Sequence, residues 1–86
     1  MKNLIIIPTY NEKENIEKMI RKVMSLNNGF DLLVVDDGSP DGTGAIVKSI
    51  MMEFDGKLHL EERAGKLGLG TAYIHGFKWA LKKNYS

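Results

Sequence analysis

The 86-residue chain has no cysteine, only two prolines and one tryptophan, and no long hydrophobic run. Without cysteine it holds neither a disulfide nor a thiolate metal site to supplement its core. A chain this short forms one domain and buries roughly 60 to 65% of the surface it exposes when unfolded. The longest aliphatic runs, Leu4 to Ile7 and Leu32 to Val35, fall far short of the ~18 residues that cross a bilayer. Met1-Lys2-Asn3, a short apolar run and Pro8 do not make a secretory leader. The expected location is cytoplasmic, extending at most to peripheral contact with the cytosolic membrane face. Charge of one sign is also lacking: 12 Lys and Arg stand against 11 Asp and Glu, a formal net charge of +1. That balance gives no electrostatic case for nucleic acid.

What is present is an alternation of two hydrophobic periods. Leu4-Ile5-Ile6-Ile7, stopped by Pro8, reads as a strand covered on both faces, as in a parallel sheet. From Asn11 to about Leu26, Ile16, Met19, Ile20, Val23 and Met24 recur at helical spacing. Glu17 and Arg21 form a supporting pair, and Asn11 with Glu14 suggests a capping box. Asn27-Asn28-Gly29 stops that helix, and Asp31 to Val35 repeats the buried-strand pattern. A turn from Gly38 to Thr43, with Ser39 as N-cap, leads to a second helix with an expected stripe of Ala45, Ile46, Ile50, Met51 and Phe54. A third strand is expected near Leu58 to Glu61. A glycine-rich loop from Ala64 to Gly70 then opens a third helix carrying Ala72, Tyr73, Ile74, Phe77, Ala80 and Leu81. Phe77 and Leu81 read as core, and Trp79 lies off their face. The order β-α-β-α-β-α with short connections predicts an α/β fold on a parallel sheet with right-handed crossovers. Ligands of such sheets bind beyond the carboxyl ends of the strands: here Pro8 to Glu12, Asp36 to Thr43 and Arg63 to Gly70.

Asp36-Asp37 follows a buried strand, where a carboxylate can meet a base, a ribose or a cation. Adjacent residues of an extended chain point to opposite faces, so one carboxylate faces the ligand, and Asp37, on the side of Val35, is the choice. Asp37-Gly38-Ser39-Pro40-Asp41-Gly42 opens like a calcium loop, but Lys48 stands where a bidentate glutamate is required. Gly68-Leu69-Gly70 has Tyr73 at the third glycine position of a dinucleotide fingerprint, and no P-loop is present. The glycines around Lys66, Gly68 and Gly70 suit either the close approach of backbone amides to a phosphate or a plain flexible connection. His75 has no second histidine or cysteine nearby in the chain and reads as a structural or surface residue, not a metal ligand. Lys78, Lys82 and Lys83 read as partners of a helix dipole.

Three segments, Pro8-Thr9-Tyr10-Asn11-Glu12, Val35 to Thr43 and Lys66 to Gly76, together resemble the family 2 glycosyltransferases. They look most like the dolichol-phosphate (polyprenol-phosphate) mannose synthase branch. The resemblance implies the N-terminal half of a Rossmann-like nucleotide-diphospho-sugar transferase (GT-A) fold. Residues 1–86 would be the nucleotide-sugar-binding part of one glycosyltransferase domain, ending before an Asp-x-Asp metal motif. By position Pro8, Tyr10, Glu12, Val35 and Asp37 match the family's nucleotide-contacting segments, with Asp36, Lys66, Gly68 and Gly70 secondary. The implied reaction transfers mannose from GDP-mannose to a polyprenyl phosphate. Mg²⁺ or Mn²⁺ would neutralise the leaving diphosphate through ligands outside this chain, which alone would turn over little or nothing. A competing reading, from a different class, is a non-catalytic nucleotide-binding or assembly module whose open sheet edge docks on a partner chain or on a second copy.

Overall fold

The computed structural model describes residues 3–26, 29–54, 56–63 and 69–83. Its elements are β1 (Asn3–Thr9), α1 (Ile16–Ser25), β2 (Phe30–Asp36), α2 (Thr43–Ile50), a 3₁₀ turn (Met51–Phe54), β3 (Leu58–Glu62) and α3 (Leu69–Lys82). The strands form one sheet in the order β1-β2-β3, and both pairings are parallel. Central β2 explains its own sequence: Leu32, Leu33, Val34 and Val35 are all 0% exposed, because side chains on both faces are covered. Each fully buried aliphatic side chain of this kind contributes about 1.5–3 kcal/mol.

The period of two splits the strands between two cores. Ile5, Ile7, Leu32, Val34, Leu58 and Leu60 pack with Ile16, Ile20 and Met24 of α1 and with Val47 and Ile50 of α2. Leu4, Ile6, Leu33 and Val35 pack on the opposite face with Ala72 and Trp79 of α3. Consecutive α1 and α2 therefore share one face and α3 covers the other. Among the described residues β1 and β3 each pair with one strand only, so both are edges.

Four local expectations change. Pro8 does not end β1: it pairs with Val35, and the strand continues to Thr9. An edge strand tolerates the missing N–H of proline. The first helix begins at Ile16 rather than Asn11, whose φ of 54° is left-handed. The second helix, α2, begins at Thr43 after Gly42, whose φ is 93°, so Ser39 is no helix cap. The stripe of α2 is Thr43, Gly44, Val47 and Ile50; Ala45 is exposed, while Ile46, Met51 and Phe54 sit at the margin of the core.

The third helix presents the face opposite to the one its large residues suggest. Ala72 is fully buried, Gly76 is buried and Trp79 joins the core, whereas Ile74, Phe77 and Leu81 are 54%, 59% and 74% exposed. The reason is close approach. A Cβ on Gly76 would lie 2.8 Å from Cγ2 of Ile6, so the helix reaches the sheet through its small residues.

Candidate functional site

Parallel register brings three strand ends to one level. Thr9 pairs with Asp36, and Asp36 pairs with Glu62. The ladder continues one step beyond: the Asp37 N–H donates to the Thr9 carbonyl at 3.0 Å, and the Arg63 N–H to the Asp36 carbonyl at 2.7 Å. The segments after β1, β2 and β3 thus leave the sheet side by side.

Side chains of the β2–α2 loop then fasten the β1–α1 segment. Three successive backbone amides donate to three of them: Asn11 to Ser39 Oγ at 2.8 Å, Glu12 to Thr43 Oγ1 at 3.0 Å and Lys13 to Asp41 Oδ2 at 3.0 Å. The anchor below is Asp36, 1% exposed. Its Oδ1 accepts from the Thr9 hydroxyl at 2.8 Å and the Ser39 hydroxyl at 2.6 Å, and its Oδ2 accepts from the Ser39 N–H at 2.9 Å. At the start of α2, Asp41 Oδ1 accepts from the Thr43 N–H and hydroxyl, at 3.0 and 2.5 Å. That hydroxyl foremost, with the amides of Lys13 and Thr43, lowers the Asp41 pKa below the ordinary aspartate value. The Thr43 N–H, at the start of α2, has no intrahelical partner, and the Asp41 carboxylate supplies one.

The other carboxylate points to the α3 face, by the alternation that puts Val35 there. Asp37 Oδ1 lies 2.6 Å from both Nε and Nη2 of Arg63, and the two side chains are each 7% exposed. Arg63 Nη1 donates to Thr71 Oγ1 of α3 at 3.1 Å. Asp37 Oδ2 accepts no hydrogen bond among the described residues.

The structure gathers Pro8, Tyr10, Glu12, Val35 and Asp37 at this end, with distinct roles. Tyr10 and Glu12 are half-buried on the fastened segment, and the Glu12 carboxylate makes no hydrogen bond or ion pair among the described residues. Pro8, also half-buried, lies beside Val35 on the face that α3 covers. The Val35 side chain is 0% exposed in the core with Leu33 and Ala72, so the side chain itself is closed to a ligand. The Asp36 carboxylate is spent on Thr9 and Ser39 and has no free oxygen for a ligand. Lys66 and Gly68 lie outside the described residues. Gly70 stands exposed in the first turn of α3, with open space around its Cα.

Sequence reasoning passed over Arg63 as a site residue. The available signal was its position, one step past the third strand as Asp37 is one step past the second. His75, part-exposed on α3, has Nε2 3.1 Å from Glu61 Oε1.

The glycosyl transferase family 2 model matches residues 4–85. The chain belongs to that family. Among curated relatives of this family 2 chain, the polyprenol monophosphomannose synthase of Mycolicibacterium smegmatis is 45% identical over 85 residues, covering 99% of the chain and 32% of the relative. The undecaprenyl-phosphate mannosyltransferase of Micrococcus luteus is also 45% identical, over 99% of the chain and 35% of its own length. The dolichol-phosphate mannosyltransferase of Pyrococcus furiosus is 38% identical over 82 residues, 93% of the chain and 23% of the relative. The family 2 chain thus spans between 23% and 35% of the length of these relatives. No solved structure matches it.

A divalent cation, as the family resemblance implies, needs several oxygen donors. Among the described residues no three acidic or histidine side chains gather to supply them. Asp37 faces a guanidinium, and Asp36 is fully engaged, so the described residues of this family 2 chain do not fit a cation on their own. No helix among the described residues is long and apolar enough to cross a membrane.

Proposed function

We propose that this chain is the nucleotide-holding, N-terminal part of a glycosyltransferase domain that transfers mannose from GDP-mannose to a polyprenyl phosphate. The observation that carries the reading is the fastening of the β1–α1 segment to the β2–α2 loop, which puts Tyr10 and Glu12 beside Asp37 at the carboxyl ends of adjacent parallel strands. That is where nucleotides bind on such sheets. The three relatives, by name, take mannose as the sugar and a polyprenol or its phosphate as the acceptor, which supports the same choice here. Such an acceptor places the reaction at a membrane surface. The leaving diphosphate takes Mg²⁺ or Mn²⁺ on donors beyond those described.

On this reading the residues divide by role. Asp37 accepts a hydrogen bond from the base through Oδ2. Tyr10 and Glu12 contact the nucleoside, while Asp36, Ser39, Asp41 and Thr43 keep their segment in place. Backbone amides near Gly70, at the start of α3, face the phosphates. The exposed edges of β1 and β3 provide the route for self-association.

Calorimetric titration with GDP and GDP-mannose tests the reading. Both should bind. Asp37→Asn should weaken binding by about 1–3 kcal/mol, because its carbonyl satisfies Arg63 and its NH₂ then meets the donor of the base. No heat with either ligand, or an unchanged affinity in the variant, would remove the nucleotide from this site.

A further inference from the structure

We propose that Arg63 is a positioning residue that restricts Asp37 to reading the nucleobase with a single oxygen. The inference rests on the nucleotide-holding reading above and specifies how that site distinguishes bases. Arg63 is held in several places: its backbone N–H on the Asp36 carbonyl at 2.7 Å, Nη1 on Thr71 Oγ1 at 3.1 Å, and Nε with Nη2 on Asp37 Oδ1, both at 2.6 Å. A guanidinium tied to a strand end and a helix at once cannot swing aside. Both of its Asp37 contacts fall on the same oxygen, which is thereby occupied.

Oδ2 is different. It accepts no hydrogen bond among the described residues, and no sealed side-chain oxygen there lacks a partner, so Oδ2 is open to an incoming donor. A free carboxylate could take two parallel N–H groups, one on each oxygen. With Oδ1 closed by Arg63, Asp37 takes one.

The consequence is a rule for the base. Guanine, hypoxanthine and uracil each present a ring N–H and satisfy Oδ2. Adenine and cytosine present a ring nitrogen lone pair there and leave a desolvated carboxylate facing an acceptor. The 2-amino group of guanine gains nothing from Asp37, so GDP and IDP bind alike at this residue. Thr71 extends the arrangement into α3, whose first turn and Asp37 are held by the same guanidinium.

The test is calorimetric titration of GDP, IDP and ADP against the protein and its Arg63→Lys and Arg63→Met variants, with each variant's Tm. In the unmodified protein IDP should bind within about twofold of GDP, and ADP about tenfold or more weaker, the worth of one charge-assisted hydrogen bond. Arg63→Met, which frees Oδ1 for the 2-amino group of guanine, should raise the GDP-over-IDP ratio to several-fold, and Arg63→Lys, which keeps a cation against Oδ1, should leave the two nucleotides nearly alike. A residue that only supported the fold would lower both affinities together and leave their ratio alone. An unchanged ratio in Arg63→Met overturns the inference, as does IDP binding tenfold weaker than GDP in the unmodified protein, a comparison that needs no variant. Failure of every nucleotide to bind would instead overturn the nucleotide-holding reading itself.

Discussion

The Thr9 hydroxyl donates to Asp36 Oδ1 at 2.8 Å, joining the ends of two strands across 27 residues of sequence. The same carboxylate also holds Ser39, whose hydroxyl in turn accepts the Asn11 amide. One buried acid therefore sets the relative positions of the loops that carry Tyr10 and Asp37. Asp36→Ala removes three accepted bonds and leaves their donors without a partner, at a cost of about 3 kcal/mol. Thr9→Val removes one bond at nearly constant shape and should cost about 1 kcal/mol. Urea denaturation of the two variants measures both, and equal losses would show that Asp36 does not act as the common anchor.

Two buried glycines should respond to alanine with opposite signs. A Cβ on Gly76 meets Ile6 Cγ2 at 2.8 Å, inside a packed interface, and overpacking of that kind costs about 1–3 kcal/mol. The helix propensity gained is at most about 1 kcal/mol, so Gly76→Ala should destabilise. At Gly44 the contact is Glu62 Oε2 at 2.6 Å, the end of a flexible side chain that pairs with the half-exposed Lys48 and can move away. Gly44→Ala should be neutral or stabilising by up to about 1 kcal/mol. Thermal unfolding of the pair decides whether close approach or propensity governs each position.

Helix α3 offers a test of which face is core. Phe77→Ser and Leu81→Ser change residues more than half exposed and should leave stability within about 0.5 kcal/mol. Trp79→Ala should cost about 2 kcal/mol or more, because Trp79 packs on the Leu33 and Val35 cluster and its ring lies 5.0 Å from His59. If the order were reversed in chemical denaturation, the helix would be turned the other way.

Acid should loosen the molecule in a defined window. Asp41 has a folded pKa lowered foremost by the Thr43 hydroxyl, and Glu53 one lowered foremost by hydrogen bonds from Arg21. A carboxylate more acidic in the folded than in the unfolded chain binds fewer protons when folded. Its stabilisation is therefore complete above the ordinary carboxylate pKa of about 4 and is lost as the pH falls through the lower folded value. The urea midpoint should hold level at neutral pH and drop below about pH 4, and Asp41→Asn should flatten that drop.

Several features could be read before any coordinates. Leu4 to Ile7 and Leu32 to Val35 announce parallel strands, because only strands covered on both faces are apolar without alternation. Ile16, Ile20 and Met24 announce α1 through their spacing. The two-residue period also places Val35 and Asp37 on one side of β2. The side of α3 that packs inward was not legible, since both of its faces carry apolar residues and spacing favours the larger ones. The Asp-Gly-Ser-Pro-Asp-Gly-Thr segment looked like turn and cap chemistry, and its side chains do bond backbone amides, though three of those amides belong to a segment 28 to 31 positions away.

Order of elements, parallel sheet and family thus follow from the sequence by itself, because periodicity and short motifs are local properties of the chain. Only the tertiary structure decided that Asp36 bonds Thr9 and Ser39 while Asp37 is left with one open oxygen, that the Val35 side chain is buried, and that Arg63 pairs with Asp37. Those assignments depend on which partners the folded sheet brings within hydrogen-bonding distance, and two adjacent aspartates differ in nothing else.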